Sequence, residues 1–219
     1  MKTNPVRIFP CVLLLILVLL SGCSREAATP DSSQALESRN ESDSRPNILL
    51  IVVDDVGFSD IGAYGSEIAT PTIDALAAEG LMLTQFHVFP NCGPTRGSMM
   101  TGVDPHRAGM GGNHGANAPN QDGQPGYEGH LRQNVVTIAQ LLRDAGYHTY
   151  MTGKWHLGAG ENNPAARGFE KSFALLNGAA SHWADQAPII PGSATRYVSD
   201  GEVEEDLPEG FYSSNWYTD

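Results

Sequence analysis

Asn47-Ile48-Leu49-Leu50-Ile51-Val52-Val53-Asp54-Asp55 is the stretch that decides the fold class. A short, continuous apolar run of this kind suits a strand buried on both faces, as in a parallel sheet. It closes on two carboxylates, followed by Val56-Gly57. Further along, 72–79 places Ile73, Leu76 and Ala77 on one helical face, with Gly80 as the stop. Residues 81–88 alternate loosely and read as a strand. In 135–145, Ile138, Leu141, Leu142 and Ala145 follow the i, i+3, i+4, i+7 pattern of a helix that Gly146 ends. The next strand is expected at 147–152. Strands alternating with helices predict an α/β fold, a mostly parallel central sheet with helices on both faces. Residues 109–133, rich in Gly, Asn, Pro and Gln, form a long loop, and long loops in such folds often carry function. No internal repeat is present.

The chain has 219 residues, enough for one domain with a real core, and a net charge of −12, which argues against nucleic-acid binding. Seven acidic residues and no Lys or Arg lie between Asp200 and Asp219, a pattern expected of a solvated acidic surface. At the N-terminus, Lys2 and Arg7 precede Val12–Leu20, an apolar run of nine residues, too short to span a bilayer and typical of a signal peptide over 1–22. Leu20-Ser21-Gly22-Cys23 resembles a bacterial lipobox. That resemblance implies cleavage before Cys23, lipid on Cys23 and a location in the bacterial cell envelope, anchored in the periplasm or outer membrane. The other reading is an ordinary secretory signal. Residues 23–45, polar and almost free of large apolar side chains, read as a flexible tether, and the folded part is expected over 46–219. Of the three cysteines, Cys11 leaves with the signal and Cys23 carries lipid. Cys92 is then the one thiol in the body of the mature protein, with no partner for a disulfide.

Three segments carry chemistry. Asp54 and Asp55 sit at the carboxyl end of the first expected strand, the edge where open α/β sheets bind ligands. Two adjacent carboxylates there suit Ca²⁺ or Mg²⁺; the plainer reading is a turn or cap. Cys92-Gly93-Pro94-Thr95-Arg96 precedes a stretch compatible with a helix, and Pro94 fits a first helical turn. Cys92 would then lie at a helix N-terminus, where free N–H groups favour an anion, with Arg96 able to turn back toward it. Alternatively Cys92 is a buried cysteine in a helical turn. In Thr152-Gly153-Lys154-Trp155-His156-Leu157-Gly158, Lys154 and His156 are two apart and share a side if the backbone stays extended; otherwise they are two surface polar residues.

Taken in order, Asp54-Asp55, Cys92-x-Pro94-x-Arg96 with Thr101-Gly102, and Gly153-Lys154-Trp155-His156-Leu157-Gly158 resemble the signatures of the type I sulfatases, an alkaline-phosphatase-like family. Less diagnostic text agrees: Gly62-Ala63-Tyr64-Gly65, Thr70-Pro71-Thr72-Ile73-Asp74 and Gly168-Phe169. The stretch 177–186, with His182-Trp183, resembles the family's bacterial arylsulfatase branch. The resemblance implies that a formylglycine-generating enzyme oxidises Cys92 to formylglycine. The hydrated aldehyde attacks sulfur through one hydroxyl, and the second later expels sulfate. It implies Ca²⁺, in preference to Mg²⁺, bound by Asp54, Asp55 and the residue at 92. Arg96 would steady the hydrate, Lys154 would bind sulfate and the bridging oxygen, and His156 would orient or deprotonate a hydroxyl. The substrate would be a sulfate ester of a small molecule or glycan. His182 and His114 are weaker candidates for the substrate side.

The chain departs from the family in two ways. Thr95 stands where many members have Ser. The second pair of metal ligands, usually Asp-Asn, and the second His and Lys that the family carries further on have no match here. The chain is therefore expected to correspond to the N-terminal part of the catalytic domain and to have little activity alone. The alternatives are a phosphonate or phosphate ester hydrolase of the same superfamily and a non-catalytic lipoprotein.

Overall fold

The computed structural model describes residues 45–189 and 193–219. The expected signal segment, Cys23 and nearly all of the tether lie outside the described residues. The chain divides into two units, Met1–Val52 and Val53–Asp219. Of the first, the described residues 45–52 are exposed and form no regular element. Among the described residues no helix is long and apolar enough to cross a membrane.

In the second unit, two short 3₁₀ turns, Phe58–Asp60 and Gly62–Tyr64, precede α1 (Pro71–Glu79). Next come α2 (Cys92–Thr101), α3 (Pro105–Ala108) and α4 (Ile138–Asp144). The strands are β1 (Tyr150–Lys154), β2 (Lys171–Leu175), β3 (Tyr197–Ser199) and β4 (Glu202–Glu204), and α5 (Ser213–Thr218) closes the series. The sheet order is β1-β2-β3-β4. β1 and β2 are parallel, with Lys154 opposite Leu175, and the other two pairings are antiparallel. The α/β class holds, with a mixed sheet among the described residues.

Two expected strands differ. Residues 47–53 and 81–88 carry no strand, and Leu49 and Leu81 are 84% and 85% exposed. A strand is held by ladder bonds to a neighbour, and the described residues offer these two runs none. The expected strand at 147–152 starts later, at Tyr150, because the end of α4 claims the residues before it. Gly146, at φ 84°, donates to Arg143 O (2.8 Å), and Tyr147 donates to Leu142 O (3.0 Å). This paired closure of a helix needs a left-handed residue, and glycine adopts it without strain. At the other end, Thr137 Oγ1 accepts from Gln140 N and Gln140 Oε1 accepts from Thr137 N, a reciprocal cap that starts α4 at Ile138.

The main core joins Met100 of α2, Ala108, Met110, Leu131, Trp155, Leu157, Ala174 and Val198. A second cluster gathers Leu175, Tyr197 and Phe211. The family-like text at 62–74 is a structural clamp. Thr70 Oγ1 accepts from Gly62 N (2.9 Å), and Asp74 Oδ1 accepts from Ala63 N (2.7 Å) and from the Thr70 hydroxyl (2.8 Å). The acidic residues at 202–209 lie mostly exposed, as a solvated surface requires.

Candidate active site

Cys92 is the first residue of α2 and is half-buried. The helix cap Asn91 is extended and makes no side-chain cap bond of its own. The free N–H of Gly93 donates instead to Asn113 Oδ1 at 2.9 Å, from the Gly/Asn-rich loop. Asn113 Nδ2 lies 3.6 Å from Cys92 Sγ. On another approach, His156 Nδ1 lies 3.4 Å from the same sulfur.

His156 reaches this place through its backbone. It sits two residues beyond Lys154, the last residue of β1, with φ 56°, between Trp155 and Leu157, which are both fully buried. A left-handed non-glycine residue costs of order 1–3 kcal/mol and persists where its surroundings hold it. Those surroundings are on either side. Trp155 N donates to Leu175 O (2.8 Å), and its indole N–H donates to Asn162 O (2.7 Å). Arg96 donates from Nε to Trp155 O (2.7 Å) and from Nη2 to Lys154 O. A Cβ on Gly178, just past β2, would stand 2.6 Å from His156 Cε1, so only glycine leaves room for the ring. Lys154 and His156 do converge on one site, but by this turn and not by strand alternation.

Lys154 Nζ pairs with Asp54 Oδ2 at 2.7 Å, with the lysine side chain 15% exposed and the aspartate 52% exposed. Asp55, the next residue, is exposed with φ 52°. Burial is the main cause that pushes the His156 pKa down to about 4; the cations Lys154 and Arg96 push the same way, and Asp54 opposes them. The ring is therefore neutral at neutral pH and can present an unprotonated nitrogen to residue 92. His114 adds a further, smaller push in the same direction. Burial also pulls the Arg96 guanidinium below its ordinary range, countered by Asp54 and Cys92.

Asp54 and Asp55 offer hard oxygen donors of the kind Ca²⁺ takes, but Ca²⁺ needs six to eight ligands. The described residues contain no group of three His, Cys, Asp or Glu arranged to hold a metal. The pair fits Ca²⁺ in kind, as part of a shell.

The structure thus brings Cys92, Arg96, Lys154, His156 and Asp54 together. His182 Nδ1 meets Ser213 Oγ at 2.5 Å. Three further contributors carry no distinct signal in the sequence. Asn113 lies in a loop flagged as functional, but no spacing marks that position. Gly178 matters only for a contact across the sheet. Trp155 stands within the Gly153–Gly158 motif, and its burial is a tertiary fact.

The sequence profile described as Sulfatase matches residues 46–215, and the chain belongs to the sulfatase family. It is 41% identical over 187 residues to an uncharacterized sulfatase of Schizosaccharomyces pombe, covering 80% of this chain and 33% of that protein. It is 41% identical over 176 residues to an arylsulfatase of Klebsiella aerogenes, covering 79% of this chain and 37% of that one. Among solved structures it resembles Ps i-CgsB, with TM-score 0.59 and 29% identity over 78% of this chain and 39% of that one. The same protein in complex with k-i-k-neocarrahexaose gives TM-score 0.55 and 26% identity, over 74% and 37%. The chain therefore spans about a third of the length of the curated relatives it matches.

Proposed function

We propose that this protein is a sulfuric ester hydrolase of arylsulfatase type, with the residue at 92 as its nucleophile after conversion of Cys92 to formylglycine. The observation that supports this most is the surrounding of Cys92 Sγ by His156 Nδ1 at 3.4 Å and Asn113 Nδ2 at 3.6 Å. An oxygen substituent uses an acceptor and a donor at hydrogen-bond range far better than a weakly hydrogen-bonding thiol does. The aldehyde hydrate supplies one hydroxyl for attack on sulfur and a second for release of sulfate. His156, neutral above its lowered pKa, takes a proton from residue 92. Lys154, paired with Asp54, gives a cation for the sulfate oxygens and the bridging oxygen. Arg96 holds the backbone carbonyls of Lys154 and Trp155, fixing the segment that carries both groups, and adds positive charge beside residue 92. Asp54, Asp55 and the residue at 92 would hold Ca²⁺, which supplies Lewis-acid polarisation of the sulfate when bound.

The substrate class is an aryl or glycan sulfate, the glycan being suggested by the carbohydrate complex of the related Ps i-CgsB. Residues 1–22 would export the chain, lipid on Cys23 would tether it to the cell envelope, and 46–219 would form catalytic structure. Turnover is expected to be slow, because among the described residues no group of three His, Cys, Asp or Glu is arranged to hold a metal.

The test compares hydrolysis of 4-nitrophenyl sulfate and 4-nitrophenyl phosphate at high protein concentration with added Ca²⁺. The protein is co-expressed with a formylglycine-generating enzyme. Slow sulfate release that Cys92→Ala abolishes, and that exceeds phosphate release, is expected. Faster phosphate release, or sulfate release that survives Cys92→Ala, contradicts the proposal.

A further inference from the structure

We infer that Asn113 is a further residue of the reacting site, a hydrogen-bond donor held against the nucleophile by the helix it caps. The inference rests on the reading of residue 92 as the reacting group. The orientation of the amide follows from chemistry. The backbone N–H of Gly93 can only donate, so the atom 2.9 Å from it is Asn113 Oδ1. The amide nitrogen then faces Cys92 Sγ, at 3.6 Å.

This arrangement is built in from both sides. A Cβ on Gly93 would lie 2.5 Å from Asn113 Oδ1 and 3.2 Å from Met110 Cε, so the close approach requires glycine. The loop that carries Asn113 is closed at its base. Gly111 N donates to Gly126 O (2.7 Å), and Gly129 N donates to Gly109 O (3.0 Å). Ala116 N donates to Asn113 O (3.0 Å), which turns the chain directly after it. One side chain thus performs two tasks. Its oxygen satisfies an N–H that the start of α2 leaves open. Its nitrogen offers a donor to whatever heteroatom residue 92 carries, while His156 Nδ1 meets the same atom on another approach. A donor here steadies negative charge on that atom as it attacks; an acceptor alone would not.

Separating the two tasks is the test. In Asn113→Asp a carboxylate keeps the acceptor for Gly93 N–H but removes the donor and sets a negative charge beside residue 92. The readout is the rate of Cys92 alkylation by iodoacetamide at one fixed pH, followed by the mass of the Cys92 peptide so that Cys11 and Cys23 do not contribute. Melting temperature is measured alongside. Asn113→Asp is expected to melt near the parent and to alkylate roughly tenfold to 150-fold more slowly, the size of one charge-assisted hydrogen bond. Gly93→Ala leaves Asn113 in place but pushes its amide away, and is expected to slow alkylation in the same direction. Parent-like alkylation in both variants would overturn the inference and leave Asn113 as a helix cap. Because the assay reads the unmodified thiol, its result does not depend on whether the protein hydrolyses sulfate esters.

Discussion

Trp155→Ala is expected to destabilise the fold by about 3–5 kcal/mol, the usual cost of emptying a fully buried aromatic site. Trp155 is 0% exposed and belongs to the main core with Met110, Leu131 and Leu157. Its ring meets Phe169 edge-on at 6.1 Å, and its indole N–H donates to Asn162 O at 2.7 Å. The substitution leaves a cavity and an unpaired buried carbonyl together. Trp155 also stands between Lys154 and His156, so the loss reaches the site through the backbone that Arg96 grips. Thermal unfolding followed by circular dichroism checks it, with a fall in midpoint of roughly 10 °C. Trp183, 60% exposed, serves as the control and is expected to shift far less on change to Ala. Equal shifts for the two would mean that the Trp155 pocket is not what holds this segment.

Gly178→Val is expected to lower sulfate-ester turnover roughly a hundredfold, the effect of misplacing a reacting group by about an ångström. The new side chain would meet the His156 ring at 2.6 Å from Cε1 and 2.7 Å from Nε2. The ring must then leave its position 3.4 Å from Cys92 Sγ. An independent readout is the ring's own titration by NMR. In the parent, burial holds His156 near a pKa of about 4, against an ordinary 6.5. The unfolded chain takes up this proton at 6.5 and the folded chain at about 4, so the contribution is full above 6.5 and is lost as the pH falls toward 4. In Gly178→Val a solvated ring titrates closer to 6.5, and this window closes. An unchanged midpoint with unchanged turnover would show that the ring does not depend on Gly178.

The parts of this site that the sequence reveals are those where chemistry is written locally. Cys92, Pro94 and Arg96 lie within one helical turn, and the first turn of α2 forms where Pro94 predicts it. Lys154 and His156 are legible as a pair, but the left-handed backbone at His156 is not, since nothing in its residue type asks for φ 56°. Asn113 and Gly178 act across 21 and 22 residues of chain on Cys92 and His156, and contacts of that span belong to tertiary structure. The fold divides in the same way. The helices at 71–79 and 138–144 follow from their stop glycines and, for the second, from the Thr137–Gln140 cap. The runs at 47–53 and 81–88 have strand-like composition, yet a strand exists only with a neighbour, and no residue in the run itself names that neighbour.

If Cys92 is the precursor of the nucleophile, the mass of the peptide containing it, after co-expression with a formylglycine-generating enzyme, will show an aldehyde at position 92. An intact thiol there, with a control substrate converted in the same cells, would contradict it.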